Sequence, residues 1–146
     1  TKIPPPLVTL VFALSIYFSR GMFPAVEAQY SSYFGIFLLL LGFFILISAV
    51  RLFRKDKTTV NPLSPEQATK LVTGGIFKHS RNPMYLGMGF VLGSMAVFFN
   101  VIGGIILIAL FCVYITKFKI IPEERAMSEL FSEEFDRYVQ KTRRWI

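Results

Sequence analysis

Two short polar clusters carry the residues able to do chemistry. Arg81-Asn82-Pro83-Met84-Tyr85-Leu86-Gly87 puts a cation, an amide, a helix-starting proline and a tyrosine at the mouth of a very apolar segment. After the next apolar segment comes Pro122-Glu123-Glu124-Arg125. The intervening stretch has the length of two membrane crossings joined by a tight turn, which returns both clusters to one membrane face. Ionisable groups there are costly to desolvate, so they have a partner or a function. Taken singly, each cluster has an ordinary explanation. Arg81 would be an interfacial anchor with Pro83 opening a helix, and the glutamates would decorate a helix start. Taken together, a carboxylate pair beside a basic cluster suits a water-soluble ligand bearing both signs of charge. Tyr85, one turn into the helix, adds an aromatic wall that attracts cations.

The elements that must position these residues are apolar helices. Of 146 residues, 53% are hydrophobic and 16 are Phe, and the mean hydropathy is +0.54. So few charges cannot cover so much apolar surface in water, and the apolar residues come in long uncharged blocks, so the chain reads as a membrane protein. Four blocks stand out: Leu7 to Phe18, extending to Phe23 with Arg20 snorkelling; Tyr33 to Phe53; Met84 to Phe99; and Val101 to Phe118. Asn100 with Gly103-Gly104 marks a tight hairpin between the last two, whose short arms imply tilt or local bilayer thinning. Gly89 and Gly93 read as packing positions that let helices approach closely. The first block lacks a small-residue cleavage site and is read as a membrane helix rather than a signal peptide.

Between the second and third blocks, Ser64-Pro65-Glu66-Gln67 has the form of a helix start, which predicts a short interfacial helix to Val72 stopped by Gly74. After the fourth block, Met127, Leu130, Phe131, Phe135 and Tyr138 recur at three- and four-residue steps among charged residues. That pattern predicts an amphipathic helix from Pro122 to Lys141, lying on the bundle or the membrane surface. The expected fold is an all-α integral membrane protein of about four transmembrane helices, the third and fourth forming a short hairpin, with an amphipathic C-terminal helix. It is a single domain over 1–146: two membrane helices in 1–53, a cytoplasmic loop in 54–82, and the hairpin plus C-terminal helix in 83–146.

The net charge is +7, and the basic residues lie mainly from Arg51 to Arg81 and from Lys117 onward. Basic loops stay cytoplasmic, so both termini and the middle loop are expected there, with membrane lipids as partners and no role for nucleic acid. The membrane would be the plasma membrane in a prokaryote or the endoplasmic reticulum in a eukaryote. Cys112 is the sole cysteine and His79 the sole histidine, which leaves no metal-ligand spacing.

The stretch Gly75-Ile76-Phe77-Lys78-His79-Ser80-Arg81-Asn82-Pro83-Met84-Tyr85-Leu86-Gly87 resembles the Arg-His/Asn-Pro-x-Tyr-x-Gly signature of the isoprenylcysteine carboxyl methyltransferase and phospholipid methyltransferase group. Pro122-Glu123-Glu124-Arg125, followed by Leu130-Phe131, Phe135, Tyr138 and Arg144-Trp145-Ile146, resembles that group's Glu-Glu-Arg motif and aromatic tail. The resemblance covers the C-terminal half. It implies a membrane methyltransferase that uses S-adenosylmethionine, releases S-adenosylhomocysteine, and takes a lipophilic or lipidated acceptor from the bilayer. Carried over by position, Lys78, His79, Arg81, Asn82, Pro83, Tyr85, Leu86 and Gly87 would line the cofactor pocket and Glu123 and Glu124 would complete it. Arg81 and Glu124 would act near the reacting centre, with Glu124 or a water taking the proton of an amine acceptor. Asn82 stands where many members carry histidine; it exchanges hydrogen bonds but cannot titrate, so no histidine base is implied there. Arg144 and Trp145 would anchor the tail or close the site. Membrane sterol reductases carry a similar Arg-His-Pro-x-Tyr-x-Gly hairpin and bind NADPH, and a non-enzymatic scaffold is the third alternative.

Overall fold

The computed structural model describes residues 3–56 and 68–146. The described residues form helices α1 (Pro5–Phe18), α2 (Ser31–Lys55), α3 (Pro83–Phe99), α4 (Val101–Ile115) and α5 (Ile121–Lys141), with single 3-10 turns at Ser19–Met22 and Gly75–Lys78. Prolines open α1 and α3 in the first turn, where a missing N–H leaves no helical bond unmade. Pro5–Met22, Ser31–Lys55 and the helical stretch that begins at Val101 are long and apolar enough to cross a membrane, and α3 is a shorter apolar helix. The apolar part of the third stretch ends at Phe118, so Glu123 and Glu124 lie beyond the crossing. With 17 residues, α3 is about 25 Å long, slightly less than a hydrocarbon core.

Burial follows helical spacing. In α1, Val8 and Ile16 face inward, while Leu7, Leu10, Val11 and Leu14 are exposed apolar residues suited to lipid. Thr9 and Ser15 donate back to Pro5 O and Val11 O at 2.9 and 2.8 Å, so their hydroxyls are satisfied within the helix. One core joins α1, α3 and α4 through Val8, Ile16, Tyr85, Met88, Leu92, Phe111 and Ile115. A second, of Ala49, Leu71, Val72, Phe77, Phe135 and Tyr138, joins the end of α2 to the segment before α3 and to α5.

The α3–α4 turn is made by Asn100 alone. Its Oδ1 accepts from Gly103 N–H at 3.0 Å, and its Nδ2 donates to Ile16 O at 3.3 Å and Ser19 Oγ at 3.1 Å. Gly103 and Gly104 lie inside the first turn of α4, buried rather than at the bend. Asn100→Ala removes a helix cap and leaves a buried carbonyl with one donor fewer. A loss of about 2 kcal/mol is expected, seen as a lower melting midpoint in detergent.

Three features depart from the sequence expectations. The start of the predicted interfacial helix, Ser64 to Gln67, lies outside the described residues, and Ala68 to Val72 are not helical. Pro122 stands in the first turn of α5 as expected, but no break separates that helix from α4, because the chain stays helical through Pro122. A π-turn at Thr116–Ile120 bridges α4 and α5, with Ile121 N–H bonded to Thr116 O. That wider spacing accommodates a proline that cannot donate and whose ring would crowd the turn before it. Finally, α5 is broken at Ser132 (φ 44, ψ −115), a backbone conformation unfavourable for a residue with a Cβ.

Candidate active site

A cavity of about 280 Å³ lies at the seam between the two cores. Its polar end is built by Arg81, Asn82, Tyr85, Glu123 and Glu124. Its apolar wall includes Phe53, Phe77, Met84, Met88, Met127 and Phe135, and Pro5 and Pro6 bring the start of α1 to it. Ligand sites have this form, mostly apolar with a few convergent polar groups.

The loop before α3 is fixed by the C-terminal tail. Arg81 N–H donates to Arg143 O at 3.0 Å, Arg81 Nη1 to Thr142 O at 2.8 Å, and Asn82 Nδ2 to Arg144 O at 2.9 Å. Tyr138 OH donates to Phe77 O at 2.6 Å. These bonds satisfy three backbone carbonyls of the irregular tail and one of the loop.

The adjacent carboxylates have different surroundings. Glu124 is clamped by two guanidinium groups: Arg81 Nη2 reaches Oε1 at 3.0 Å, and Arg144 donates through Nε to Oε1 at 3.0 Å and Nη2 to Oε2 at 2.8 Å. Burial alone would raise the Glu124 carboxyl, but the hydrogen bonds and charges of Arg144 and Arg81 outweigh it and hold it below the usual carboxylate range. Glu123 instead accepts from Tyr85 OH at 2.5 Å. Burial pushes Glu123 up to about 7, with the Tyr85 hydrogen bond and the Lys119 charge opposing and the Glu124 charge adding. Neither glutamate sits at a helix N-terminus, because the helix continues through them, so the expected dipole stabilisation is replaced by side-chain partners.

A family model described as phospholipid methyltransferase matches residues 30–134. The chain belongs to the phospholipid methyltransferase family. That match starts ahead of α2, so it reaches further toward the N-terminus than the C-terminal half in which the motifs lie, and it ends before Tyr138 and Arg144. No curated protein and no solved structure matches the chain. Family and fold together make it a membrane methyltransferase with apolar helices suited to the bilayer.

Of the positions carried over from the motifs, the structure brings Arg81, Asn82, Pro83, Tyr85, Glu123 and Glu124 together around the cavity. Lys78, His79, Leu86 and Gly87 do not line it. Lys78 and His79 are exposed on the loop before α3. Gly87 faces α2, where a Cβ would stand 2.8 Å from Leu46 Cγ and 2.9 Å from Gly42 O. Leu86, the residue before it, is only partly buried. Gly87 is thus the close-packing glycine of α3, whereas at Gly89 a Cβ would meet nothing within 4 Å. Sequence reasoning did not settle that Arg144 holds Glu124, nor did it place Phe53, Met88 and the start of α1 at the site. The tail motif signalled the first; nothing local signals the others, which arrive by packing.

Proposed function

We propose that this protein transfers the methyl group of S-adenosylmethionine to a lipophilic or amphiphilic acceptor at the cytoplasmic face of its membrane. The observation that carries the reading is the union of the two motifs in one cavity, Arg81 with Glu124 and Tyr85 with Glu123, opening onto an apolar wall. The residues suit the cofactor's groups. Glu124 can accept from an ammonium or a ribose hydroxyl through its remaining lone pair, and the Tyr85 ring attracts a cation. Arg81 Nε is a buried donor with no partner among the described residues. When bound, the cofactor supplies an electrophilic methyl group on a sulfonium.

The chain's own contribution is positioning and water exclusion. Met84, Met88 and Met127 form an adaptable apolar wall for a lipid chain. Holding acceptor and donor in line within a dry cavity removes much of the barrier to displacement. The basic segments flanking the helices support a cytoplasmic orientation of this face.

Calorimetric titration of the detergent-purified protein with S-adenosylhomocysteine, with NADPH in parallel, tests the reading. Saturable binding of the homocysteine compound alone is expected. Binding of NADPH alone would identify a reductase, and folded protein that binds neither would indicate a scaffold.

A further inference from the structure

Two neighbouring carboxylates face one cavity, and only one of them is placed to exchange a proton. Glu124 has its two oxygens held by Arg81 and Arg144, so its charge is fixed and three of its roughly four lone-pair sites are filled. Glu123 is bound through Oε1 to the Tyr85 hydroxyl and lines the same cavity. The π-turn immediately before it buries Lys119 and shifts the helical phase of α5 relative to α4, and such turns cluster at functional sites.

On the methyltransferase reading above, we propose that Glu123, oriented by Tyr85, is the base that deprotonates an amine acceptor, and that Glu124 is a positioning residue that holds Arg81 and the tail. The acceptor ammonium passes one proton to the Glu123 carboxylate and becomes a neutral amine. The nitrogen lone pair forms the new N–C bond to the methyl carbon of S-adenosylmethionine as the C–S bond breaks, its electron pair staying on sulfur. The products are a methylated ammonium and S-adenosylhomocysteine, and Glu123 returns its proton to water, so one proton is released per methyl transferred. A carboxylate acceptor needs no base.

The groups around Glu123 are Tyr85 from α3, Lys119 from the π-turn, Glu124 beside it with Arg81 and Arg144, and Lys70 on the cavity lining. Burial pushes Glu123 up to about 7, which places its conversion to the basic form in the working pH range. The Tyr85 hydrogen bond holds that value down, so losing it moves the conversion to higher pH.

The test uses the purified full chain in vesicles containing an aminoethyl phospholipid or, separately, an S-farnesylated N-acylcysteine, with labelled S-adenosylmethionine. The expected result is methylation of the amine with kcat/KM rising with pH through the neutral range. Glu123→Gln lowers it by about 100-fold or more, while affinity for S-adenosylhomocysteine changes by less than about threefold. Tyr85→Phe moves the acid limb to higher pH, which a purely structural role would not do. Independently of turnover, an infrared band of a protonated carboxyl titrates near neutral pH in the native protein and is absent from Glu123→Gln. Methylation of the carboxylate but not the amine by protein that binds S-adenosylhomocysteine overturns this assignment alone. So does an acid limb unmoved in Tyr85→Phe, or binding lost in parallel with activity in Glu123→Gln. Native protein that does not bind S-adenosylhomocysteine overturns the methyltransferase reading and this assignment with it. If Glu123→Gln fails to fold, the Tyr85→Phe profile and the native infrared titration decide.

Discussion

Glu124→Ala is expected to lower folding stability by about 3 kcal/mol and to bring S-adenosylhomocysteine binding below detection. The side chains of Arg81 and Glu124 are 11% and 20% exposed, so the ion pair is largely withdrawn from water. Removing the carboxylate strands two guanidinium groups near each other without their shared counter-charge, and that penalty exceeds the net worth of the pair itself. The tail keeps its backbone bonds to Arg81 and Asn82, so the variant loosens the site rather than unravelling the bundle. Arg144→Ala should be milder, about 1 kcal/mol, because Arg144 is 39% exposed and Glu124 keeps Arg81.

The pH dependence separates this residue from its neighbour. The folded-state pKa of Glu124 is depressed, so its contribution is present above the ordinary carboxylate value of 4.5 and is lost as pH falls through the lower folded value. Glu124→Ala therefore removes part of the acid sensitivity of the native protein. Glu123 behaves oppositely: its pKa is raised to about 7, so its contribution is present below 4.5 and lost as pH rises through 7. Melting in detergent across that range, native against Glu124→Ala, reads both effects. An unchanged midpoint in the variant at neutral pH would show that the clamp is not holding the site.

Gly87→Val is the second large effect. A Cβ at Gly87 would stand 2.8 Å from Leu46 Cγ, and one at Gly42 would stand 2.8 Å from Gly87 O, so α2 and α3 touch backbone to backbone. Adding an isopropyl group pushes the helices apart, and overpacking of this kind costs about 1–3 kcal/mol. The functional loss should be larger than the stability loss suggests. Tyr85 sits two residues earlier on the same helix, and a displacement near 1 Å at a reacting centre can cost roughly 100-fold. Ligand binding and methyl transfer are expected to fall together, with the melting midpoint lowered. Gly89→Val is the control: a Cβ there meets nothing within 4 Å, so a near-native protein is expected. Equal damage from both variants would mean that helix propensity, not the α2–α3 contact, sets the result.

Gly87 also marks where legibility in the sequence stops. As the glycine of the first motif it reads as part of a ligand pocket by position, yet its face turns to α2. Motif membership does not reveal which way a helical residue points. Apolar block length, by contrast, identified α1, α2, α3 and α4, because a backbone in lipid must satisfy every N–H and C=O within its own helix. Pro83 marked the start of α3 because proline suits the first turn. The same rule placed Pro122 in the first turn of α5 but did not reveal that a π-turn joins that turn to α4 without a break.

An all-helical membrane chain with two polar motifs at the ends of one hairpin is readable from the residues alone, and the family match agrees with what those motifs resemble. Composition and spacing suffice for that, because burial in lipid and hairpin return are one-dimensional constraints. Which glutamate is clamped by Arg81 and Arg144, and which accepts from Tyr85, emerges only when the helices and tail are packed. Adjacent residues on a helix point about 100° apart, so the phase shift of a π-turn and the docking of a tail assign their partners. Such contacts join residues distant in the chain, and no local pattern records them.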